Sequence, residues 1–168
     1  VTYFKVACST GRYSTTSASN NQVNCVVCNS GRYSEKIGSD VSTDCKVCPA
    51  GYKQSVQGMA YCLPCEPGTH QSNTGTLVCV KCSIGLASAA IANTGTQCDI
   101  CPIGKLSKQQ GSATCQNCGA GKFGAEYGQG CADCSVAQYR ASATDTETFC
   151  SDCGVGFSNG NVGQAVCL

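Results

Sequence analysis

The sequence predicts a small disulfide-rich all-β fold, an elongated rod of nine short β-hairpin units stapled by a disulfide ladder. Cysteine supplies 18 of the 168 residues, a proportion typical of disulfide scaffolds. The cysteines recur at a regular spacing, and glycine recurs in register with them. The chain has no Trp and few large aliphatic residues, so an ordinary hydrophobic core cannot offset the entropy of ordering the backbone. Cross-links are the remaining source of stability.

Eight Cys-x-x-Cys pairs divide the chain into repeats, each of which starts at the second cysteine of a pair. Only Cys8 and Cys167 stand outside these pairs. The segment before Cys8 is rich in β-branched and aromatic residues and is expected to be a strand. The predicted domains are an N-terminal β arm at 1–7 and repeats at 8–27, 28–47, 48–64, 65–81, 82–100, 101–117, 118–133, 134–152 and 153–168.

The turn of each predicted hairpin lies three residues after the opening cysteine, where glycine allows a positive φ. An aromatic or large apolar residue usually follows within two positions, and we expect it to cover the flanking disulfides as a small local core. Repeat 8 has Ala137 at the turn, so its turn is expected to differ. The predicted turn glycines are Gly11, Gly31, Gly51, Gly68, Gly85, Gly104, Gly121 and Gly156.

The middle of each repeat is rich in Ser, Thr, Asn and Gln, a composition typical of the loop that reverses a hairpin. No repeat is long enough to hold two helical turns as well as its loop and both cysteines. We therefore expect a tandem array in which each hairpin contacts only its neighbours, as in other repeat proteins.

Three kinds of chemistry fit the Cys-x-x-Cys pairs: structural disulfides, zinc binding and thiol redox catalysis. Zinc sites built from successive pairs would leave Cys8 and Cys167 unused, whereas a disulfide ladder uses every cysteine. A redox centre needs one privileged thiol of low pKa rather than eight equivalent pairs. The ladder is favoured, although spacing alone does not determine connectivity. The ladder pairs Cys8 with Cys25, Cys28 with Cys45, Cys48 with Cys62, Cys65 with Cys79, Cys82 with Cys98, Cys101 with Cys115, Cys118 with Cys131, Cys134 with Cys150, and Cys153 with Cys167.

The number of cysteines predicts an extracellular or cell-surface location, because disulfides form and persist in oxidising compartments. No apolar run is long enough to span a bilayer. The chain starts at Val1 and has Met59 as its only methionine, so we expect a mature or excised segment. The net charge of +1 and the dispersed basic residues argue against nucleic-acid binding.

The sequence has no motif for catalysis or for a cofactor, and we predict a protein that is not an enzyme and has no cofactor or metal. His70 is the only histidine and is expected to lie exposed in a loop. The acidic residues are scattered, and the closest cluster, Asp145, Glu147 and Asp152, lacks the spacing of a calcium-binding loop. A solvated surface is the simpler interpretation of these side chains.

The N-terminal arm is the candidate assembly element, because tandem arrays normally need polar caps and neither end of this array looks capped. In one hypothesis the arm pairs with the last repeat of another copy, which would produce a head-to-tail homopolymer. In the other hypothesis the chain is a fragment of a longer ectodomain. The arm consists of Val1, Thr2, Tyr3, Phe4, Lys5, Val6 and Ala7.

Threonines in two polar loops are candidate carriers of O-linked glycans, since the chain has no Asn-x-Ser/Thr sequon. These threonines are Thr15, Thr16, Thr144 and Thr146. Plain polar loops explain the same residues equally well. Glycans and other surface proteins are therefore the secondary partner candidates, after self-association.

Two segments carry a family resemblance that extends over essentially the whole chain. Cys-Pro-Ala-Gly-Tyr at 48–52 and Cys-Pro-Ile-Gly-Lys-Leu at 101–106, each closing on Cys-x-x-Cys, resemble the ephrin-receptor-like cysteine-rich repeat. Arrays of this repeat are frequent in surface proteins of protists and algae, and they are similar in outline to ciliate surface antigens and to tumour-necrosis-factor-receptor ectodomains. The resemblance implies an extracellular rod with disulfides within and between hairpin layers.

The sequence as a whole predicts an extracellular structural protein, a rigid rod that assembles head-to-tail into a surface filament or appendage. A ligand-binding or spacer segment of a receptor-like surface protein is the alternative, because the same module serves stalks, fibres and receptors. A receptor is expected to have a distinctive patch in one or two repeats, whereas these repeats differ modestly. With an advance of about 10 Å per repeat, the rod would be roughly 90 Å long.

Overall fold

A computed structural model describes residues 7–15, 24–124, 126–128, 130–141 and 149–168. It confirms the predicted fold class, a disulfide-rich all-β array, with eight two-stranded antiparallel hairpins. The one helical element in these ranges is a 3-10 turn at Ser42–Asp44. None of these residues belongs to a helix that is long and apolar enough to cross a bilayer.

The strands are two or three residues long, and each hairpin is built in the same way. The first strand begins directly after the turn residue, and the second lies at a Cys-x-x-Cys pair. Each odd-numbered strand pairs with the even-numbered strand that follows it. The strands are β1 (Arg12–Ser14), β2 (Cys25–Val27), β3 (Arg32–Tyr33), β4 (Lys46–Val47), β5 (Tyr52–Lys53), β6 (Leu63–Pro64), β7 (Thr69–His70), β8 (Val80–Lys81), β9 (Leu86–Ala87), β10 (Asp99–Ile100), β11 (Lys105–Leu106), β12 (Gln116–Asn117), β13 (Lys122–Phe123), β14 (Ala132–Asp133), β15 (Gln138–Tyr139) and β16 (Ser151–Asp152).

The ninth repeat closes with the same chain reversal, although it is too short to count as a strand pair. The Ser158 N–H donates to the Leu168 carbonyl, and the Leu168 N–H donates back to Ser158, both at 2.9 Å. In the second repeat the corresponding pair is Tyr33 opposite Lys46. The hairpin construction therefore extends through all nine repeats.

The chain divides into two compact units whose ranges interleave. Unit 1 contains residues 1–66, 70–80 and 91–96, and unit 2 contains residues 67–69, 81–90 and 97–168. Every contact between repeats that is described below joins residues of the same unit.

The buried core consists mainly of cysteines and polar residues, which corrects the expectation of an aromatic local core. Tyr13, Tyr33 and Tyr52 are only half-buried. Besides the turn glycines of repeats 1 to 7, the positions that recur as buried are the opening cysteine, in repeats 1 to 8, and the sixth residue after it, in all nine repeats. The opening cysteines Cys8, Cys28, Cys48, Cys65, Cys82, Cys101, Cys118 and Cys134 are buried, as are Ser14, Ser34, Gln54, Gln71, Ser88, Ser107, Gly124, Arg140 and Asn159 at the sixth position.

His70 also differs from its expectation as an exposed loop residue. It lies in β7, is half-buried, and has its ring Nδ1 3.0 Å from the Gly95 carbonyl oxygen in unit 1. Because a carbonyl can only accept, Nδ1 carries the proton in this contact. The side chain is thus part of the hairpin packing in repeats 4 and 5.

Candidate functional site: the disulfide ladder and the contacts between repeats

All eighteen cysteines form disulfides, and each disulfide closes one repeat. The bonded Cα atoms are 5.5–5.8 Å apart, within the usual range for disulfides. The sequence separations are 13 to 17 residues. The pairs are those of the ladder: 8–25, 28–45, 48–62, 65–79, 82–98, 101–115, 118–131, 134–150 and 153–167.

The ladder determines which chemistry the cysteines can perform. Because every sulfur is bonded to another sulfur, no thiolate is left in this structure to coordinate zinc or to attack a substrate. Within the described ranges, no group of three or more His, Cys, Asp or Glu side chains could hold a metal ion. Each disulfide instead closes one loop of the chain, a constraint that lowers the entropy of the unfolded state.

The nine turn residues share one backbone conformation. The eight predicted glycines have φ between 73° and 87°, and Ala137 in repeat 8 has φ of 65°. The expectation that repeat 8 would turn differently is therefore wrong. Alanine adopts this region at a cost of about 1–2 kcal/mol, which the surrounding contacts of repeat 8 offset.

Backbone hydrogen bonds connect the turn of a repeat to the next repeat. In seven repeats the turn N–H donates to the carbonyl of the buried sixth position of the following repeat. In unit 1 these bonds are Gly11 to Ser34, Gly31 to Gln54 and Gly51 to Gln71, and in unit 2 they are Gly68 to Ser88, Gly85 to Ser107, Gly121 to Arg140 and Ala137 to Asn159, at 2.7–3.4 Å. The side chain at this sixth position can vary, because its carbonyl makes the contact.

A second residue with left-handed backbone conformation, not anticipated from the sequence, forms a hydrogen bond with the preceding repeat. We call it the second left-handed position. Its N–H donates to the carbonyl of the opening cysteine in the preceding repeat, at 2.7–3.1 Å. The pairs are Gly38 to Cys8, Gly58 to Cys28, Gly75 to Cys48, Ala92 to Cys65, Gly111 to Cys82, Gly128 to Cys101 and Gly163 to Cys134. In the sequence this position lies seven residues after the turn residue, a spacing that could have identified it.

The turn glycines also face a repeat two positions further along, which corrects the expectation that hairpins contact only their neighbours. A Cβ added to the turn glycine would overlap the backbone carbonyl at the second left-handed position of that repeat. The facing pairs are Gly11 and Gly58, Gly31 and Gly75, and Gly51 and Ala92 in unit 1, and Gly68 and Gly111, Gly85 and Gly128, and Gly121 and Gly163 in unit 2. Glycine is required here both for its φ and for the missing Cβ.

Two buried glutamines organise the loops of repeats 3 and 4. The Gln54 Nε2 donates to the Tyr61 carbonyl at 2.8 Å, and its Oε1 accepts from the Val56 N–H at 3.0 Å. Gln71 makes the equivalent pair of bonds with Val78 and Asn73. One amide side chain thus bridges both sides of the loop, so that the loop needs no further buried side chain.

A small ion-pair cluster fixes the 3-10 turn of repeat 2. The Lys36 Nζ lies 2.7 Å from an Asp44 carboxylate oxygen, which also accepts from the Ser39 hydroxyl. Hydrogen bonding to Lys36 and then to Ser39 lowers the pKa of Asp44, and the bond to Asp44 raises the pKa of Lys36. Lys36 is exposed, Asp44 is half-buried and Ser39 is buried; all three lie within repeat 2, so the cluster has a local role.

An open groove of about 280 Å³ lies between repeats 1 and 2 in unit 1. Tyr13, Asn29, Arg32 and Thr43 are among the residues that line it. One guanidinium nitrogen of Arg32 donates to the Cys45 carbonyl at 2.8 Å, which holds the charged group against the groove. The groove combines an aromatic side chain, a cation and hydroxyl groups.

Most of the predicted assembly arm and most of the candidate glycan sites lie outside the described residues. Ala7 is exposed, and its Cβ faces Gly38 of repeat 2, but Val1, Thr2, Tyr3, Phe4, Lys5 and Val6 are outside the described ranges. Thr15 is exposed, whereas Thr16, Thr144 and Thr146 are outside those ranges. Both sets stay predictions.

Comparison of the sequence with protein-family models finds no match. Comparison with curated proteins finds none either. The function is therefore argued from the repeats themselves.

Proposed function

We propose that this chain is an extracellular structural protein in which stacked, disulfide-closed hairpins form a stiff scaffold at a cell surface. The observation that carries the proposal is that all eighteen cysteines lie in disulfides, one per repeat, and that most of the buried residues are those cysteines and polar positions. Such a protein depends on an oxidising environment for its stability. The family proposal, an ephrin-receptor-like repeat array, has the same implication.

The regular backbone contacts support a scaffold role. They use main-chain N–H and C=O groups that every sequence supplies, so the repeats can differ on their surfaces while the stacking is kept. A scaffold needs this property, whereas an enzyme needs a unique cluster of reactive side chains.

Assembly into a filament is the finer part of the proposal. We propose that the arm, residues 1–7, binds the last repeat of another copy. The last repeat supports this role because Val155, Phe157 and Leu168 are largely exposed, and because, within the described residues, no hydrogen bond reaches the Gly156 N–H. An extended segment can pair with such a backbone group and cover such side chains.

Electron microscopy and light scattering of the oxidised chain, with and without residues 1–7, test the assembly proposal. The full chain is expected to form end-to-end species that the truncated chain does not form. Identical association by both chains would refute the role of the arm. If both chains stayed monomeric at high concentration, filament formation would be refuted. The scaffold proposal would be unaffected, because disulfide mapping tests it separately.

A ligand-binding ectodomain is the second candidate, and the groove between repeats 1 and 2 favours it. Its lining residues include an aromatic side chain, a cation and hydroxyl groups, which could bind a polar ligand. A labelled chain and its Arg32→Ala and Arg12→Ala variants, applied to cells, provide the test. Binding that is lost only with Arg32→Ala would favour this candidate, and binding equal in all three would count against the groove.

A further inference from the structure

Repeat 8 is the one repeat whose turn residue is not glycine, and its place in the array is informative. Ala137 keeps the left-handed backbone, and its N–H donates to Asn159 of the next repeat, to the side-chain Oδ1 at 2.8 Å and to the carbonyl at 3.4 Å, whereas the turn glycines donate to the carbonyl. The Ala137 N–H therefore still reaches the sixth position of the next repeat. The difference concerns the contact with a repeat two positions further along.

In repeats 1 to 5 and 7, the turn glycine lies against the carbonyl of the repeat two positions further along, and all of these glycines are buried. Repeats 8 and 9 have no such neighbour among the nine repeats. Accordingly, Ala137 and Gly156 are both exposed, and nothing lies within 4 Å of a Cβ built on Gly156. The empty position is where a tenth or an eleventh repeat would place its carbonyl.

We propose that Ala137 closes the array to a further hairpin stacked in the same geometry. Because Ala137 has the same φ region as the turn glycines and its N–H reaches the same position of the next repeat, its methyl occupies the position of the Cβ built on them. On those glycines the added Cβ overlaps a carbonyl of the repeat two positions further along. A tenth repeat would bring its carbonyl onto the Ala137 methyl in the same way.

The Ala137 methyl would overlap a tenth repeat in either case, whether that repeat continues the chain or belongs to a second copy. The inference goes beyond the proposed function and does not depend on it. It restricts assembly, however, because a second copy that reaches the last repeat must bind in a geometry other than the one used between repeats. Pairing of an extended arm with the last repeat is such a geometry.

A chain extended by one designed repeat tests the block. A copy of residues 64–79 added after Leu168 recreates the Cys-Leu-Pro-Cys junction found at 62–65. In the array geometry, the Gly156 N–H would donate to the copied Gln71 carbonyl, as Gly51 does to Gln71. Hydrogen exchange of the Gly156 amide therefore reports stacking of the added repeat.

With Ala137 retained, the Gly156 amide of the extended chain is expected to exchange as fast as in the native chain. Ala137→Gly in the extended chain is expected to slow this exchange at least tenfold, while Ala137→Ser, which keeps a Cβ, is expected to leave it fast. The unextended Ala137→Gly chain controls for backbone flexibility. Equal protection with and without the methyl, or no protection after Ala137→Gly, would overturn the proposal.

Discussion

Replacing the turn glycine of repeat 7 by alanine is expected to destabilise the array more than the same change in repeat 9. Gly121 and Gly156 are in unit 2 and have φ of 73° and 87°. The cost of placing alanine in the left-handed region, about 1–2 kcal/mol, is therefore common to both variants. In both, it is reduced by about 0.4–1 kcal/mol, because alanine lowers the entropy of the unfolded chain.

The two positions differ in what the new methyl meets. At Gly121 it would overlap the Gly163 carbonyl, whereas at Gly156 it would meet nothing within 4 Å. Overlap of this kind costs about 1–3 kcal/mol because the backbone must shift. We expect a net loss of about 1 kcal/mol for Gly156→Ala and about 2–4 kcal/mol for Gly121→Ala, from the sums of these terms.

Native-state hydrogen exchange under non-reducing conditions measures this difference locally. The Gly163 amide, which bonds the Cys134 carbonyl, is the reporter. The two losses differ by about 1–3 kcal/mol, and 1.4 kcal/mol corresponds to a tenfold change in the opening equilibrium, so Gly121→Ala is expected to accelerate its exchange at least about fivefold more than Gly156→Ala. Equal acceleration by the two variants would refute the contact between a repeat and the repeat two positions further along.

Three further predictions follow from the described contacts. Gln54→Ala removes both loop bonds of repeat 3 and is expected to cost about 1–3 kcal/mol, seen as faster exchange of the Val56 amide, whereas the exposed neighbour Gln57→Ala is expected to have no effect. The pKa of Asp44 is lowered, so its stabilising contribution is present above its unfolded pKa of about 3.9 and is lost as the pH falls through its lower folded pKa. Asp44→Asn is expected to remove this pH dependence from an NMR titration of the 3-10 turn. A titration that Asp44→Asn leaves unchanged would contradict the prediction. Full reduction of the nine disulfides is expected to unfold the chain, since each closed loop accounts for about 3 kcal/mol, and a native circular dichroism spectrum in strong reductant would exclude this explanation.

The disulfides and turns could be predicted because each depends on one residue type with a distinct physical property. Cysteine marks the cross-links, and glycine marks a positive φ. Gly38 and Gly58 have the same property, and their seven-residue distance from Gly31 and Gly51 was visible in the sequence. The sequence analysis assigns them no role, because the expected hairpins have no contact that requires a second position of positive φ.

The buried sixth position could not be predicted from residue type. Ser34, Gln54, Arg140 and Asn159 share no side-chain property, and hydrophobic patterning would place them on the surface. What they share is a backbone contact, since their carbonyls accept from the preceding turn, while their side chains make different hydrogen bonds. The contact between distant repeats was equally hidden, since it depends on the absence of a side chain.

Mapping the disulfides of the native protein tests the central claim most directly. The oxidised chain is digested without reductant at low pH, and the linked peptides are identified by mass spectrometry after stepwise reduction and alkylation. Nine linkages are expected, each joining the opening cysteine of a repeat to the next cysteine along the chain, with no free thiol. Linkages between different repeats, alkylated free thiols, or zinc released in proportion to the protein would contradict the disulfide ladder and the extracellular scaffold proposed from it.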